Sequence, residues 1–312
     1  MDSSVIEQVK KLHIRTRQQV SDVLAGAYLS VFKGSGIEFE EVRPYVPGDE
    51  IRSIDWNVTA RTGEPYVKRF VEERELTVML LVDISGSQNF GSREKSKREA
   101  AGEFAALLAF SAIANKDKIG LMLFHDETEL YIPPRKGQKH ALRIVREVLA
   151  HEHQQKPEDR SFVRRFLQFF QKSSLESGRK TDIGGALEFC RRVLARRSVL
   201  FVISDFMDTG FVSTLRNVNR KHDVVAVHTR DKAESELLGT GLIELCDAET
   251  SKTRLVDVDV ARKILKETEY KRQSELERNF RGAGVDLIDI CTDEPVIEPL
   301  LRFLRMREKR GR

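Results

Sequence analysis

The feature that most constrains the fold is a regular alternation of short apolar runs and helical segments over residues 76–312. Five of the apolar runs have the length of buried strands: residues 77–83, 119–124, 199–204, 223–228 and 285–290. Strands that are apolar along their whole length indicate burial on both faces, and the intervening helices supply the cover. The pattern predicts an α/β fold: an open, Rossmann-like, mostly parallel sheet with helices on both faces.

The first 75 residues have a different character. Residues 1–32 show helical spacing, whereas turn signals rich in glycine and proline separate two β-like runs at residues 37–42 and 66–71. A length of 312 residues is typical of about two domains. We therefore predict a small N-terminal helical and β-rich subdomain at residues 1–75, followed by the α/β domain with a C-terminal helix at residues 76–312.

Composition limits where the protein works. The hydrophobic content of 40% is enough for a core, but no run approaches the roughly 18 apolar residues of a membrane span. The start of the chain lacks the apolar region of a signal peptide. The three cysteines are far apart and form no C-x-x-C pair, which favours a reduced, cytoplasmic protein.

Three oxygen-rich segments follow the predicted strands. Asp83-Ile84-Ser85-Gly86-Ser87 ends the first strand, Asp205 follows the strand at residues 199–204, and Thr181 precedes the helix before that strand. In open parallel sheets, ligands bind beyond the carboxyl ends of the strands, so these segments can converge. Hydroxyl and carboxylate oxygens suit a hard cation, which predicts a site for Mg²⁺, or for Mn²⁺ or Ca²⁺. The alternative is that the carboxylates and hydroxyls only satisfy turns and loop backbone.

This pattern resembles the metal-ion-dependent adhesion site of von Willebrand factor type A domains, over roughly residues 76–292. The resemblance implies that Ser85, Ser87 and Thr181 contact the metal directly, that Asp83 and Asp205 act through water, and that a partner's carboxylate completes the coordination. The chain departs from the common pattern at Gly178-Arg179-Lys180, where the family usually has a pair of glycines.

A second motif runs from Arg43 through Pro47-Gly48-Asp49 to Trp56, the only tryptophan of the chain. Together with the downstream metal pattern, it resembles a bacterial family catalogued as domain of unknown function 58. Members of that family commonly stand beside MoxR-type AAA+ ATPases, which implies a metal-dependent adaptor for such an ATPase.

The residues of the second motif also support an interpretation of their own. Arg43, Asp49, Arg52 and Asp55 can form a charged network around Tyr45 and Trp56. Buried ion pairs that orient the subdomain are favoured over a second binding site.

The sequence argues against several kinds of enzyme. It contains no Gly-x-x-x-x-Gly-Lys-Ser/Thr loop for nucleotide phosphates and no Gly-x-Ser-x-Gly around Ser85 or Ser87. We therefore expect a non-enzymatic, metal-dependent protein-binding adaptor, whose partner is a MoxR-type AAA+ ATPase or another protein that supplies an acidic residue.

Two alternatives remain open at this stage. A metal-dependent hydrolase such as a phosphatase could use Arg179 or Lys180 to clamp a phosphoryl group. Residues 301–312 carry six Lys or Arg against one Glu and could dock on an anionic membrane or a nucleic acid. No specific nucleic-acid partner is expected, because such a tail is usually a solvated helix end.

Overall fold

A computed structural model describes residues 28, 31, 37–72, 75–92, 95–154, 181–234, 242–246 and 253–310. The chain divides into two compact units, one of residues 32–76 and a larger one that holds the described residues from Thr77 onward. Most of the predicted N-terminal helical region lies outside the described residues, as do Arg179 and Lys180. The predicted subdomain at residues 1–75 stays a prediction.

The smaller unit is a two-stranded antiparallel sheet with one short helix. Its elements are β1 (Ile37–Pro44), α1 (Trp56–Thr62) and β2 (Tyr66–Glu72). The sequence analysis missed α1. The Asp55 side chain caps this helix by accepting hydrogen bonds from the backbone of Asn57 and Val58, and Gly63 ends it at a φ of 81°. An aspartate before the helix and a glycine after it were the signals available.

The larger unit is built on a six-stranded sheet in the order β10-β7-β6-β3-β4-β5. Its elements are, in chain order, β3 (Thr77–Asp83), α2 (Lys97–Ala114), β4 (Lys118–Phe124), β5 (Thr128–Arg135), α3 (Gln138–Gln154), α4 (Ile183–Val193), β6 (Val199–Ser204), α5 (Val212–Asn219), β7 (Asp223–Arg230), β8 (Leu242–Cys246), β9 (Thr253–Asp257), α6 (Val258–Ala283), β10 (Asp286–Cys291) and α7 (Ile297–Arg310). Only β5 runs antiparallel to its neighbour in this sheet. The predicted mostly parallel α/β sheet is confirmed.

Helices cover both faces of the sheet, as the side chains of β6 show. Leu200 and Val202 belong to a buried cluster with residues of α4, α5 and α6. Phe201 between them points the other way and meets Phe104 of α2, with ring centroids 6.4 Å apart. Successive residues of a strand face opposite sides, so a strand buried on both faces must be apolar throughout. Within the described ranges, no helix has the length and hydropathy needed to span a membrane.

The C-terminal helix is fastened to the amino ends of two strands by Arg307. Its guanidinium binds both carboxylate oxygens of Asp223 at 2.6 and 2.8 Å and donates from Nε to Asp286 at 2.7 Å. The Arg307 side chain is 15% exposed, and it stacks over the ring of Phe303 in its own helix. Arg307, one of the six Lys and Arg residues of the tail, therefore has a structural role.

Replacing Arg307 by alanine should lower the free energy of unfolding by about 3–5 kcal/mol, because Asp223 and Asp286 would keep their charges in a half-buried setting without the guanidinium. Arg310 is the matched control: it also binds Asp286 but is 65% exposed, so Arg310→Ala should cost less than about 1 kcal/mol. Chemical denaturation of the two variants measures both values. Equal losses would contradict a structural role specific to Arg307.

Candidate metal centre

The predicted loop after β3 is held by hydrogen bonds at its start. The backbone N–H of Ser85 donates to Oδ1 of Asp83 at 2.9 Å, and the hydroxyl oxygens of Ser85 and Ser87 are 3.0 Å apart. Arg98 of α2, itself 2% exposed, donates to the carbonyl oxygens of Ile84 and Ser85 at 2.5 and 3.2 Å. The loop therefore presents its two hydroxyls from a fixed backbone.

Asp205 joins this loop from the end of β6. The Ser87 hydroxyl is close enough to help lower the pKa of its carboxylate, and Asp83 and Asp205 are both 1% exposed. Because β3 and β6 are parallel neighbours, their carboxyl ends deliver both carboxylates to the same edge of the sheet. The structure thus brings together four of the five predicted site residues by direct contacts or charge interaction.

Thr181, the fifth predicted residue, lies at the same edge. The residue that follows it, Asp182, donates its backbone N–H to the carbonyl of His125 just beyond β4, and Ile183 donates to Asp208 in the loop after Asp205. Thr181 is 5% exposed, yet its hydroxyl has no hydrogen-bond partner in the described part of the chain. A buried hydroxyl without a partner is costly, and a bound ligand at this edge would satisfy it.

Ser204 is a site residue that the sequence analysis did not single out. Its hydroxyl donates to Oδ2 of Asp83 at 2.6 Å and accepts from the backbone N–H of Phe206 at 3.0 Å. The available signal was its position beside Asp205 at the end of an otherwise apolar strand. With Ser85 on Oδ1 and Ser204 on Oδ2, each carboxylate oxygen of Asp83 has a donor.

The backbone turns sharply directly after Asp205. Phe206 has a φ of 51°, which is rare for a bulky residue and costs about 1–3 kcal/mol. Its ring packs edge-on against Phe280 of α6 at 4.9 Å between centroids, and this packing helps hold the strained conformation. Arg272 of α6 also donates to the carbonyl of Asp205 at 3.1 Å. Strain of this kind is concentrated at functional sites in proteins.

Lys97 is the second residue that the sequence analysis missed. It is the first residue of α2 and is fully buried, with Nζ 2.9 Å from Oδ2 of Asp205 and 2.6 Å from Oε1 of Glu234. A capping box formed by Ser96 and Glu99 begins the helix here. In the sequence, a lysine at a helix start looks like a solvated side chain, and only the packing of α2 against the sheet places it beside Asp205.

The charges of the centre shift one another's protonation. Burial, and then the charge of Asp205, raise the pKa of Asp83 against the hydrogen bonds from Ser204 and Ser85. Burial also acts to raise the pKa of Asp205, but Lys97 and the Ser87 hydroxyl outweigh it and lower that pKa. For Lys97, burial acts to lower the pKa, and the carboxylates of Asp205 and Glu234 raise it above its ordinary value. The negative charge of one buried carboxylate therefore disfavours ionisation of the other. A divalent cation would relieve this repulsion.

These residues fit a hard divalent cation whose direct ligands are hydroxyls. In the described ranges, no group of three or more His, Cys, Asp and Glu could hold a metal ion, so a soft or carboxylate-rich centre does not suit them. The unpartnered Thr181 hydroxyl, the adjacent Ser85 and Ser87 hydroxyls and the two buried carboxylates supply only oxygen, as Mg²⁺ requires. That these residues bind a metal stays a prediction.

The predicted charged network of the second motif is wrong as a single buried cluster. Arg43 forms a bidentate pair with Asp49 at 2.6 and 2.8 Å, but the two side chains are 38% and 20% exposed. Asp55 instead caps α1 and faces Lys68 at 3.6 Å. Trp56 is 66% exposed. The Asp55 carboxylate is not available to a network with Arg43 and Asp49, because it caps the start of the unpredicted helix α1.

Comparisons with known proteins agree with the resemblance seen in the sequence. The family model described as "Protein of unknown function DUF58" matches residues 41–278, more than half of the chain. An uncharacterised protein of Mycobacterium tuberculosis, Rv1480, is 28% identical over 310 residues, which is 99% of this chain and 91% of that protein.

Two solved structures match much of the chain with low scores. BatB, a conserved hypothetical protein of Bacteroides thetaiotaomicron, matches with 13% identity and a TM-score of 0.39, over 75% of this chain and 99% of its own. The VWA domain of SpRpn10 matches with 13% identity and a TM-score of 0.37, over 74% of this chain and 94% of its own. With TM-scores below 0.5, the two matches add nothing about the ligand or activity of this chain.

Replacing Ser204 by alanine should lower the free energy of unfolding by about 1–3 kcal/mol, because Asp83 and the N–H of Phe206 lose a buried hydrogen-bond partner. Ser111→Ala is the matched control. That serine is equally buried, but its hydroxyl donates only to a carbonyl of its own helix, and alanine is the better helix former, so the change should stay within about 1 kcal/mol. Denaturant titration without metal compares them. A Ser204 loss no larger than the Ser111 loss would contradict its role in holding Asp83.

Proposed function

The chain belongs to the DUF58 family of proteins of unknown function, and from that premise we propose that it is a non-enzymatic, metal-dependent protein-binding adaptor. One observation carries the proposal: a buried Thr181 hydroxyl, without a partner among the described residues, lies at the sheet edge where the Ser85–Ser87 loop and two buried carboxylates converge. The hydroxyl, the backbone strain and the two mutually repelling carboxylates each lower the stability of the fold. Cation binding would offset these costs, and the oxygen donors fit a hard cation.

The donor set favours holding a partner. Ser85, Ser87 and Thr181 would be the direct ligands, and Asp83 and Asp205 would act through water. When bound, Mg²⁺ would supply an electrophilic position for an anionic oxygen, since neutral hydroxyls leave most of its charge uncompensated. The chain's part is to fix the hydroxyls: Arg98 clamps the loop carbonyls, and Ser204 orients Asp83. An Asp or Glu of another protein is the ligand that such a centre would select.

The partner that we propose is a MoxR-type AAA+ ATPase, following the family resemblance, and its contribution would be an acidic residue. We prefer this function to a metal-dependent hydrolase because the nearest described cations are already engaged. Lys97 is held by two carboxylates and Arg98 donates to backbone carbonyls, and both are buried. Neither is placed to clamp a phosphoryl group.

Mg²⁺ and Mn²⁺ should bind the wild-type chain in calorimetric titration, and Thr181→Ala should weaken that binding at least about tenfold, equivalent to about 1.4 kcal/mol. The same substitution should cost almost no stability without metal, because the hydroxyl has no partner to lose among the described residues. Thr209→Ala is the control. Thr209 is exposed and lies in the loop that follows Asp205, so its substitution should leave metal binding unchanged. A saturating metal should stabilise wild type by about 2.7 kcal/mol at a hundredfold excess over Kd. Equal affinity of wild type and Thr181→Ala would remove Thr181 from the site.

Partner binding should depend on the metal. A purified MoxR-type ATPase from the same genome should bind the wild-type chain in Mg²⁺ buffer, lose binding in EDTA, and bind Thr181→Ala weakly in both. Binding that survives EDTA unchanged would refute the metal-dependent contact.

A parallel assay with phosphoester substrates and Mn²⁺ tests whether the protein is an enzyme. Metal-dependent turnover that Asp205→Ala abolishes would show that the protein is a hydrolase and would contradict the adaptor function.

A further inference from the structure

The most unusual charged group near the centre is the buried ammonium of Lys97. We propose that Lys97 sets the charge of the metal centre: it neutralises Asp205 when no metal is bound and keeps the affinity for divalent cations low enough for reversible loading. This inference rests on the proposed metal-binding function and concerns a residue that neither the sequence motif nor the family resemblance includes.

The geometry makes the positive charge of Lys97 a permanent part of the site. Its side chain is 0% exposed, and the side chains of its two partners, Asp205 and Glu234, are 2% and 3% exposed. The ammonium lies 2.9 Å from one carboxylate and 2.6 Å from the other. Buried charges persist only when they are paired, so three charged groups are locked together, one positive and two negative.

Glu234 anchors the lysine from a third segment of the chain, with its Oε1 2.6 Å from Nζ. Its other carboxylate oxygen, Oε2, accepts from the backbone N–H of Asp231 at 3.1 Å, within the turn that follows β7. Asp231 in turn accepts from the hydroxyl of Thr292 at 2.7 Å and from the backbone of Ser92 at 3.0 Å. Glu234 is thus fixed by the sheet edge itself, and it holds Lys97 whether or not a cation is present.

The other cations near the centre act differently. Arg98 donates to the carbonyls of Ile84 and Ser85, and Arg272 donates to the carbonyl of Asp205 and pairs with Glu269. Lys97 instead occupies Oδ2 of Asp205, a side-chain oxygen of the predicted site. It would therefore compete with a divalent cation for the same carboxylate and would repel that cation in a buried, poorly screened setting.

Two charge changes of opposite sign test the inference in the full chain, with Mn²⁺ as the probe in calorimetric titration. Lys97→Met removes the competing positive charge and should raise the affinity at least about tenfold. Glu234→Gln keeps Lys97 but removes the second carboxylate, so the ammonium neutralises Asp205 more fully, and the affinity should fall about threefold or more. The matched control is Lys95→Met, because Lys95 pairs with Glu103 at 2.6 Å just before the same helix; its affinity should equal that of wild type.

The outcomes separate this inference from the proposed function. If wild type binds Mn²⁺ and Lys97→Met binds it with equal or lower affinity, the role of Lys97 is overturned and the metal site still stands. No binding by wild type or by any variant overturns both. Detectable binding only in Lys97→Met supports the inference, since the lysine then suppresses the site in wild type. Thermal unfolding in EDTA checks folding; if Lys97→Met does not fold, Glu234→Gln decides, and an unchanged or higher affinity there overturns the inference.

Discussion

The rest of the structure depends on the burial of β3, which lies between two parallel neighbours, β4 and β6, in a sheet whose faces are covered by helices. A strand covered on both faces can hold only apolar side chains along its length, so its polar residues are confined to its end. At that end Asp83 is 1% exposed, and it must be satisfied by donors from whatever lies beside it. Ser85 and Ser204 supply those donors, which ties the loop after β3 to the end of β6. The candidate site thus follows from the way this sheet satisfies its polar end.

The same edge retains features that packing alone would not favour. Phe206 holds a left-handed backbone conformation, the Thr181 hydroxyl is buried without a partner in the described part of the chain, and Lys97 is fully buried between two carboxylates. Each of these carries a cost of order 1 kcal/mol or more. Buried polar atoms without a hydrogen-bond partner also occur elsewhere in the described ranges, for example both ring nitrogens of His222. What distinguishes this edge is that an unpartnered hydroxyl, backbone strain and a buried charge cluster coincide with a set of oxygen donors, and this coincidence is the physical argument for a binding site.

Sequence patterns predicted the large elements well because burial imposes a regular period on them. The strand at 199–204 was predicted with the bounds that the structure shows. Helix α1 was missed because it is short and its apolar spacing is weak, so its caps Asp55 and Gly63 decide it. Asp83, Ser85, Ser87, Thr181 and Asp205 could be named because strand ends in a parallel sheet share an edge. Ser204 had the same signal, its position at a strand end beside Asp205, but Lys97 had none, because a lysine at a helix start looks ordinary in one dimension.

The sequence by itself determined which apolar runs would be buried, the order of strands and helices along the chain, and the oxygen-rich edge that is the candidate metal site. It did so because hydrophobic period and chain direction are local properties. Only the tertiary structure decided the charge of that edge. Lys97 lies 108 residues before Asp205 in the chain, yet the two are joined at 2.9 Å, and Glu234 completes the trio from a third segment. Electrostatic energy depends on distance in space and on exclusion of water, and neither can be known until α2 is packed on the sheet.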